Sequence, residues 1–192
     1  MGSVRAVLDL QAKAILDQAT RRLIQERYDQ PVMSNLVRPD HVEFLISVAL
    51  GGDWPLVSTD GSGWDLQHKD DARLEVKPSA ARQTWTGRAG LQGRATRGAF
   101  DIGERKGCWI EGGKQHVAWA GRPADLFVFA WHPVIDPARV DHRDSWPWLF
   151  FVVPEPALPV RQKRLGLALI ERRWPAVGFD DLSAAVAVAE VP

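Results

Sequence analysis

The chain has 192 residues, with 24 basic and 24 acidic side chains and one cysteine. That length suits a single domain with a substantial core. A net charge of zero excludes a uniformly basic nucleic-acid or membrane binder, so any charged surface must arise by local segregation. The lone Cys108 excludes an internal disulfide and a cysteine-rich zinc site, and it fits a reducing, cytoplasmic setting.

From Val4 to Tyr28 apolar residues recur at three- and four-residue steps, which predicts an amphipathic helix within residues 1–30. Charges throughout this stretch leave no secretory apolar core. No apolar run anywhere approaches the roughly 20 residues that span a bilayer. Pro31 and Pro39 bracket a connector. Asp40 then precedes HVEFLISVAL, a second helix that Gly51 and Gly52 end. Asp40 and Glu43 have capping-box spacing, which gives Glu43 a structural use as well as a functional one.

Short two-residue periods follow at Trp64 and Leu66 and at Leu74 and Val76. The continuous apolar runs at 124–131 and 148–154 read as central strands covered on both faces. Residues 87–112, rich in glycine and arginine, read as a loop or irregular helix. Leu165, Leu167 and Leu169 alternate as in a strand, whereas Leu165, Leu169 and Trp174 fit a helix. Asp180 or Asp181 is placed to cap a closing helix. Helices first, a β-rich middle and a mixed end predict one α/β domain over 1–192, built around one sheet. Residues 155–192 form an extension to it.

The stretch GWDLQHKDDARLEVKPS carries the chemistry. If HKDDA (68–72) is a hairpin loop, Gln67 pairs with Arg73 and Asp65 lies across from Glu75, with Lys77 on the same face. Opposed carboxylates destabilise a sheet unless something compensates. One compensation is a divalent cation such as Mg²⁺, which favours carboxylate, water and phosphate oxygens. Lys77 could then orient or help deprotonate the attacking water. The other is a solvated face on which Lys77 and Arg73 neutralise Asp65 and Glu75.

An Asp at the end of one strand, followed some ten residues later by a strand reading Glu-Val-Lys, resembles the PD-(D/E)XK nuclease superfamily. The resemblance covers residues 40–154 and rests on Asp65, Glu75 and Lys77. It implies a restriction-endonuclease-like mixed sheet of about five strands flanked by helices, and Mg²⁺-dependent (or Mn²⁺-dependent) hydrolysis of DNA. Asp65, Glu75 and the Val76 carbonyl would hold the metal, Lys77 would assist water, and Glu43 and Gln83 would support. Departures exist: no proline precedes Asp65, and Asp60 in STDGSG is an alternative first carboxylate. Asp65 is preferred because it lies in the strand register.

Between Arg73 and Lys106 eight basic side chains face three acidic ones. Arg82, Trp85, Arg88, Arg94 and Arg97 are the candidates for nucleic-acid contact, through phosphate attraction and base stacking. His132, Asp136, Asp141, His142 and Asp144 form a histidine-aspartate group in a proline-rich, loop-like context without dedicated metal spacing. His41, His68 and His116 read as surface or capping residues, and Ser79 lacks the flanking glycines of a hydrolase nucleophile. The sequence therefore predicts a metal-dependent endonuclease, alone, as a homodimer or in a larger complex. The alternative is a non-catalytic binding or assembly module with the same fold.

Overall fold

The computed structural model describes residues 2–58, 61–85 and 95–189. In chain order the elements are α1 (Gly2–Arg27), α2 (Arg38–Leu50), β1 (Leu66–Gln67), β2 (Arg73–Ala80), β3 (Ala99–Asp101) and β4 (Arg105–Ile110). There follow β5 (Gln115–Gly121), β6 (Leu126–His132), β7 (Leu149–Pro154), β8 (Arg164–Gly166), α3 (Leu167–Arg173) and α4 (Leu182–Val188).

The principal sheet is mixed and has four strands, one fewer than expected, in the order β1-β2-β6-β7. β2 and β6 run parallel, and both outer pairings are antiparallel. Alternation along these strands gives the sheet two apolar faces. Leu74, Val76, Val128 and Phe150 pack with Val42 and Ile46 of α2 and Leu182 and Val186 of α4. Phe127, Phe129, Phe151 and Val153 pack with Phe100, Leu165 and Ile170. β6 is buried at every residue, as its unbroken apolar run predicts. β7, expected to be central, is instead an edge strand, shielded where Phe150 and Val177 exchange backbone hydrogen bonds of 2.9 Å.

Hairpin β1–β2 pairs Leu66 with Leu74 and Gln67 with Arg73, the register the sequence predicts, and HKDDA is its loop. The second helix also forms as read, ending at Gly51 in a left-handed conformation (φ +79°) whose N–H donates to the Ser47 carbonyl. Its start differs. The helix begins at Arg38 with Pro39 in the first turn, and no side chain caps it, so the Asp40–Glu43 capping box is not made. Proline needs no partner there because its missing N–H would be one of the unpaired donors.

Other segments depart further from expectation. Residues 99–112 form β3 and β4 instead of a loop, and β4 pairs with β5 across a turn at Glu111–Lys114. The ambiguous stretch around Leu165 is both things in succession: β8, then α3. Helix α4 follows Asp181, although that side chain makes no capping hydrogen bond. Helix α1 forms, yet every residue from 11 to 27 is exposed, so Ile15, Leu16 and Leu23 rest on nothing among the described residues. The end of the helix meets the body, where the Tyr28 hydroxyl just beyond it donates to Asp40 Oδ2 at 3.0 Å. No described helix is long and apolar enough to cross a membrane.

Candidate active site

Strand β1 is short, and its end exposes an edge of β2. Asp65 fills that edge: its Oδ2 accepts the Val76 N–H at 2.7 Å, and its own N–H donates to the Leu74 carbonyl at 2.9 Å. Backbone N–H and C=O of one strand residue point the same way, so the Val76 carbonyl also faces this edge, beside the Asp65 carboxyl. Glu75 and Lys77 lie one residue to either side and therefore project to the face carrying Phe127 and Phe129.

Glu75 is 4% exposed. Its Oε1 accepts hydrogen bonds from Lys77 Nζ and, at 3.1 Å, from Arg105 Nη2. Its Oε2 is buried and has no partner among the described residues. A buried carboxylate oxygen without a donor is costly, and a cation is one group that can satisfy it. Arg105 also donates to the Ser62 carbonyl at 2.6 Å, which fixes its guanidinium over the site from β4.

Burial pushes the Asp65 carboxyl up to about 8, reinforced by the charges of Glu75 and Glu43 and opposed by the Val76 hydrogen bond and Lys77. Burial likewise raises Glu43, against the hydrogen bond that its Oε2 accepts from Ser58 Oγ at 3.0 Å. The structure thus brings Glu43, Asp65, Glu75 and Lys77 within electrostatic reach of one another. They lie between two clefts. One, of about 780 Å³, is bordered by Ile24, Tyr28, Glu43, Ser58 and Asp65. The other, of about 430 Å³, is bordered by Glu75, Lys77, Arg105 and Phe127.

Among the described residues no group of three or more His, Cys, Asp or Glu side chains could hold a metal ion. Two carboxylates, one with an unpartnered oxygen, beside a strand carbonyl nevertheless fit Mg²⁺, which keeps several waters and takes substrate phosphate as a ligand. Asp65, Glu75 and the Val76 carbonyl are the residues that would hold it.

Gln83 is not brought to these groups. It is buried beyond the opposite end of β2, where its Oε1 accepts from Arg38 Nη1 at 2.9 Å and its Nε2 donates to the Ala80 carbonyl at 3.1 Å. From Glu75 to Ala80 alone is five residues of strand, about 17 Å. Arg82, Trp85 and Arg97 follow that same far end, where Thr96 N–H donates to the Ala81 carbonyl. Arg82 there donates to the Ile135 carbonyl. Asp60, Arg88 and Arg94 lie outside the described residues. Arg73 does not neutralise Asp65 or Glu75; Asp125 takes its guanidinium at 2.9 and 2.6 Å, and the rings of Trp64 and Trp119 flank it.

The histidine-aspartate group divides: Asp136 and Asp144 are exposed on loops as read, but the two histidines are not. His132 and His142 are fully buried with ring centroids 4.8 Å apart, both against Trp148, and burial lowers both imidazoles. Arg105 is a partner of Glu75 that the sequence does not point to. It is 30 residues from Glu75, and no local pattern links them. No protein-family model matches the chain, and no curated protein matches it.

Proposed function

We propose that the chain is a metal-dependent phosphodiesterase of PD-(D/E)XK type acting on DNA in the cytoplasm. The observation that carries this reading is the Glu75 carboxylate, buried with its Oε2 unpartnered among the described residues and within electrostatic reach of Asp65, which itself accepts the Val76 N–H. A divalent cation bound there would supply Lewis-acid polarisation of the scissile phosphate. The chain's own groups do the rest. Lys77 ammonium, anchored on Glu75, orients the attacking water and donates to developing negative charge, and Arg105 adds a second cation at the same phosphate. The Val76 N–H holds Asp65 in place, and Ser58 holds Glu43. Gln83 is left out of the chemistry, and its partners give it a structural role.

The test is cleavage of supercoiled plasmid and of short oligonucleotides with Mg²⁺ or Mn²⁺. Activity should vanish in Glu75→Ala and Lys77→Ala; activity that survives both would sink the assignment.

One observation favours a second reading. Lys77 and Arg105 already neutralise Glu75 without any metal. On that basis the fold is a non-catalytic binding or assembly module. Calorimetry with millimolar Mn²⁺, with and without DNA, separates the two: absence of any heat of binding in both titrations selects the module.

A further inference from the structure

The cleft over Glu75 and Lys77 does not end there. It shares Glu104, Arg105 and Lys163 with a neighbouring trough of about 740 Å³, so the two make one path along the protein surface. Hairpin β4–β5 forms one wall, with Arg105, Lys106 and Trp119. Residues 161–164 form the other, with Arg161, Lys163 and Arg164.

The cations on this path are of two kinds. Lys77 and Arg105 are held by Glu75, and Arg122 is held by Glu155 at 2.9 Å and by the Ile102 and Pro159 carbonyls. Lys106, Arg161, Lys163 and Arg164 are exposed and, among the described residues, belong to no ion pair. Lys106, Arg161 and Lys163 border the trough and Arg164 borders the cleft, against the acidic side chains of Asp101 and Glu104, so the path keeps a net positive charge that a bound polyanion would relieve. The backbone at Arg161 is moreover left-handed (φ +62°), a conformation that costs a non-glycine residue energy and that is concentrated at functional sites. The trough also has an aromatic member. Trp119 borders it, and the ring is set in place by the Arg73 guanidinium 5.2 Å from its centroid, itself clamped by Asp125.

Cations on both walls, an ordered indole on one of them and a continuous path to Glu75 and Lys77 are the parts of a single-strand groove. From them we infer that the substrate enters as a single-stranded nucleic acid. Arg161, Lys163, Arg164 and Lys106 hold its phosphates, and Trp119 carries a base. The indole is what favours a single strand, because a base can stack on Trp119 only where it is unpaired. The inference rests on the nuclease reading for the direction of the path, but the groove binds whether or not the chemistry proceeds.

The experiment is fluorescence anisotropy of the full chain in EDTA with labelled 12-nucleotide single-stranded DNA, the matching RNA and the duplex DNA. A single strand should bind more tightly than the duplex, with a log–log salt slope of about −3 for four phosphate contacts. The tighter of the DNA and RNA strands assigns the sugar. Lys163→Glu/Arg164→Glu, at two exposed positions, should weaken single-strand binding by about tenfold or more and roughly halve the slope. Trp119→Phe should bind nearly as well as the parent chain, and Trp119→Leu, with its fold checked by circular dichroism, should bind several-fold more weakly. Preference for duplex, or single-strand binding unchanged in Lys163→Glu/Arg164→Glu, overturns the groove. Loss of cleavage with binding intact would instead refute only the nuclease reading.

Discussion

Replacing Asp65 with asparagine should stabilise the protein when no metal is bound. Its carboxyl titrates at about 8 in the folded chain against an ordinary value of 3.8, because it is buried next to Glu75 and Glu43. The folded state therefore binds a proton that the unfolded state has lost, and stability from this group falls as pH rises from about 4 to about 8. At pH 7 the full difference corresponds to a destabilisation on the order of 4 kcal/mol. Asp65 is only partly buried, and the water it retains brings the expected effect to about 2 kcal/mol. Asparagine keeps an oxygen to accept the Val76 N–H at similar volume, so the comparison removes charge with little change in packing. Urea unfolding of both proteins in EDTA, from pH 4 to pH 8, should give curves that coincide near pH 4 and diverge upward in favour of Asp65→Asn. A variant less stable at pH 8, or a difference independent of pH, would refute the electrostatics of the site. Added Mn²⁺ should then raise the midpoint of the parent chain and leave that of Asp65→Asn nearly unmoved.

The neighbouring carboxylate should behave oppositely. Glu75→Ala leaves Lys77 and Arg105 without their shared partner and should cost about 3 kcal/mol by urea unfolding. Arg105→Ala should lower cleavage by roughly a hundredfold, the order found when one transition-state donor is removed, while leaving Mn²⁺ affinity at least as high; unchanged cleavage would remove Arg105 from the chemistry. His142, lowered from 6.5 to about 3 chiefly by burial, binds its proton only in the unfolded chain between those values. Stability should consequently drop as pH falls from 6.5 toward 3, and His142→Gln should flatten that limb in a urea series. Gly98→Ala would force a β-carbon to 2.9 Å from Leu167 Cβ at φ +63° and should destabilise by about 2 kcal/mol in the same assay.

The parts of the molecule legible in the sequence are those specified locally. HKDDA dictates its own hairpin loop, so the register of Leu66 with Leu74, and with it the placement of Asp65 near Glu75, follows from seventeen residues of sequence. The unbroken apolar run of β6 announces burial on both faces. Helix α2 could be read through HVEFLISVAL to its end at Gly51, but its start could not be read from Asp40, because the helix already begins at Arg38 with Pro39, which has no N–H to satisfy, in its first turn.

What escaped is non-local or depends on distance along a strand. Gln83 follows Lys77 closely in sequence, yet eight residues beyond Glu75 in an extended chain puts it at the other end of the sheet. Arg105 reaches Glu75 only because hairpin β4–β5 returns to the sheet edge, with Trp119 packing on Arg73. That hairpin does carry a local signal: Glu111, Gly112 and Gly113 form a turn with positive φ between alternating runs, Cys108 and Ile110 on one strand and Val117 and Trp119 on the other. The buried His132–His142 pair shows the limit of composition. Prolines and aspartates around them suggest solvent, but both rings are held in the core, the Met33 N–H donating to His142 Nδ1 at 3.1 Å.

The most direct test of the central claim is a crystal structure soaked in Mn²⁺, with the ion located by its anomalous scattering. The expected result is one Mn²⁺ bound by Asp65, by Glu75 Oε2 and by the Val76 carbonyl, with Lys77 beside it. A site without manganese, with Glu75 still closed onto Lys77 and Arg105, would contradict it.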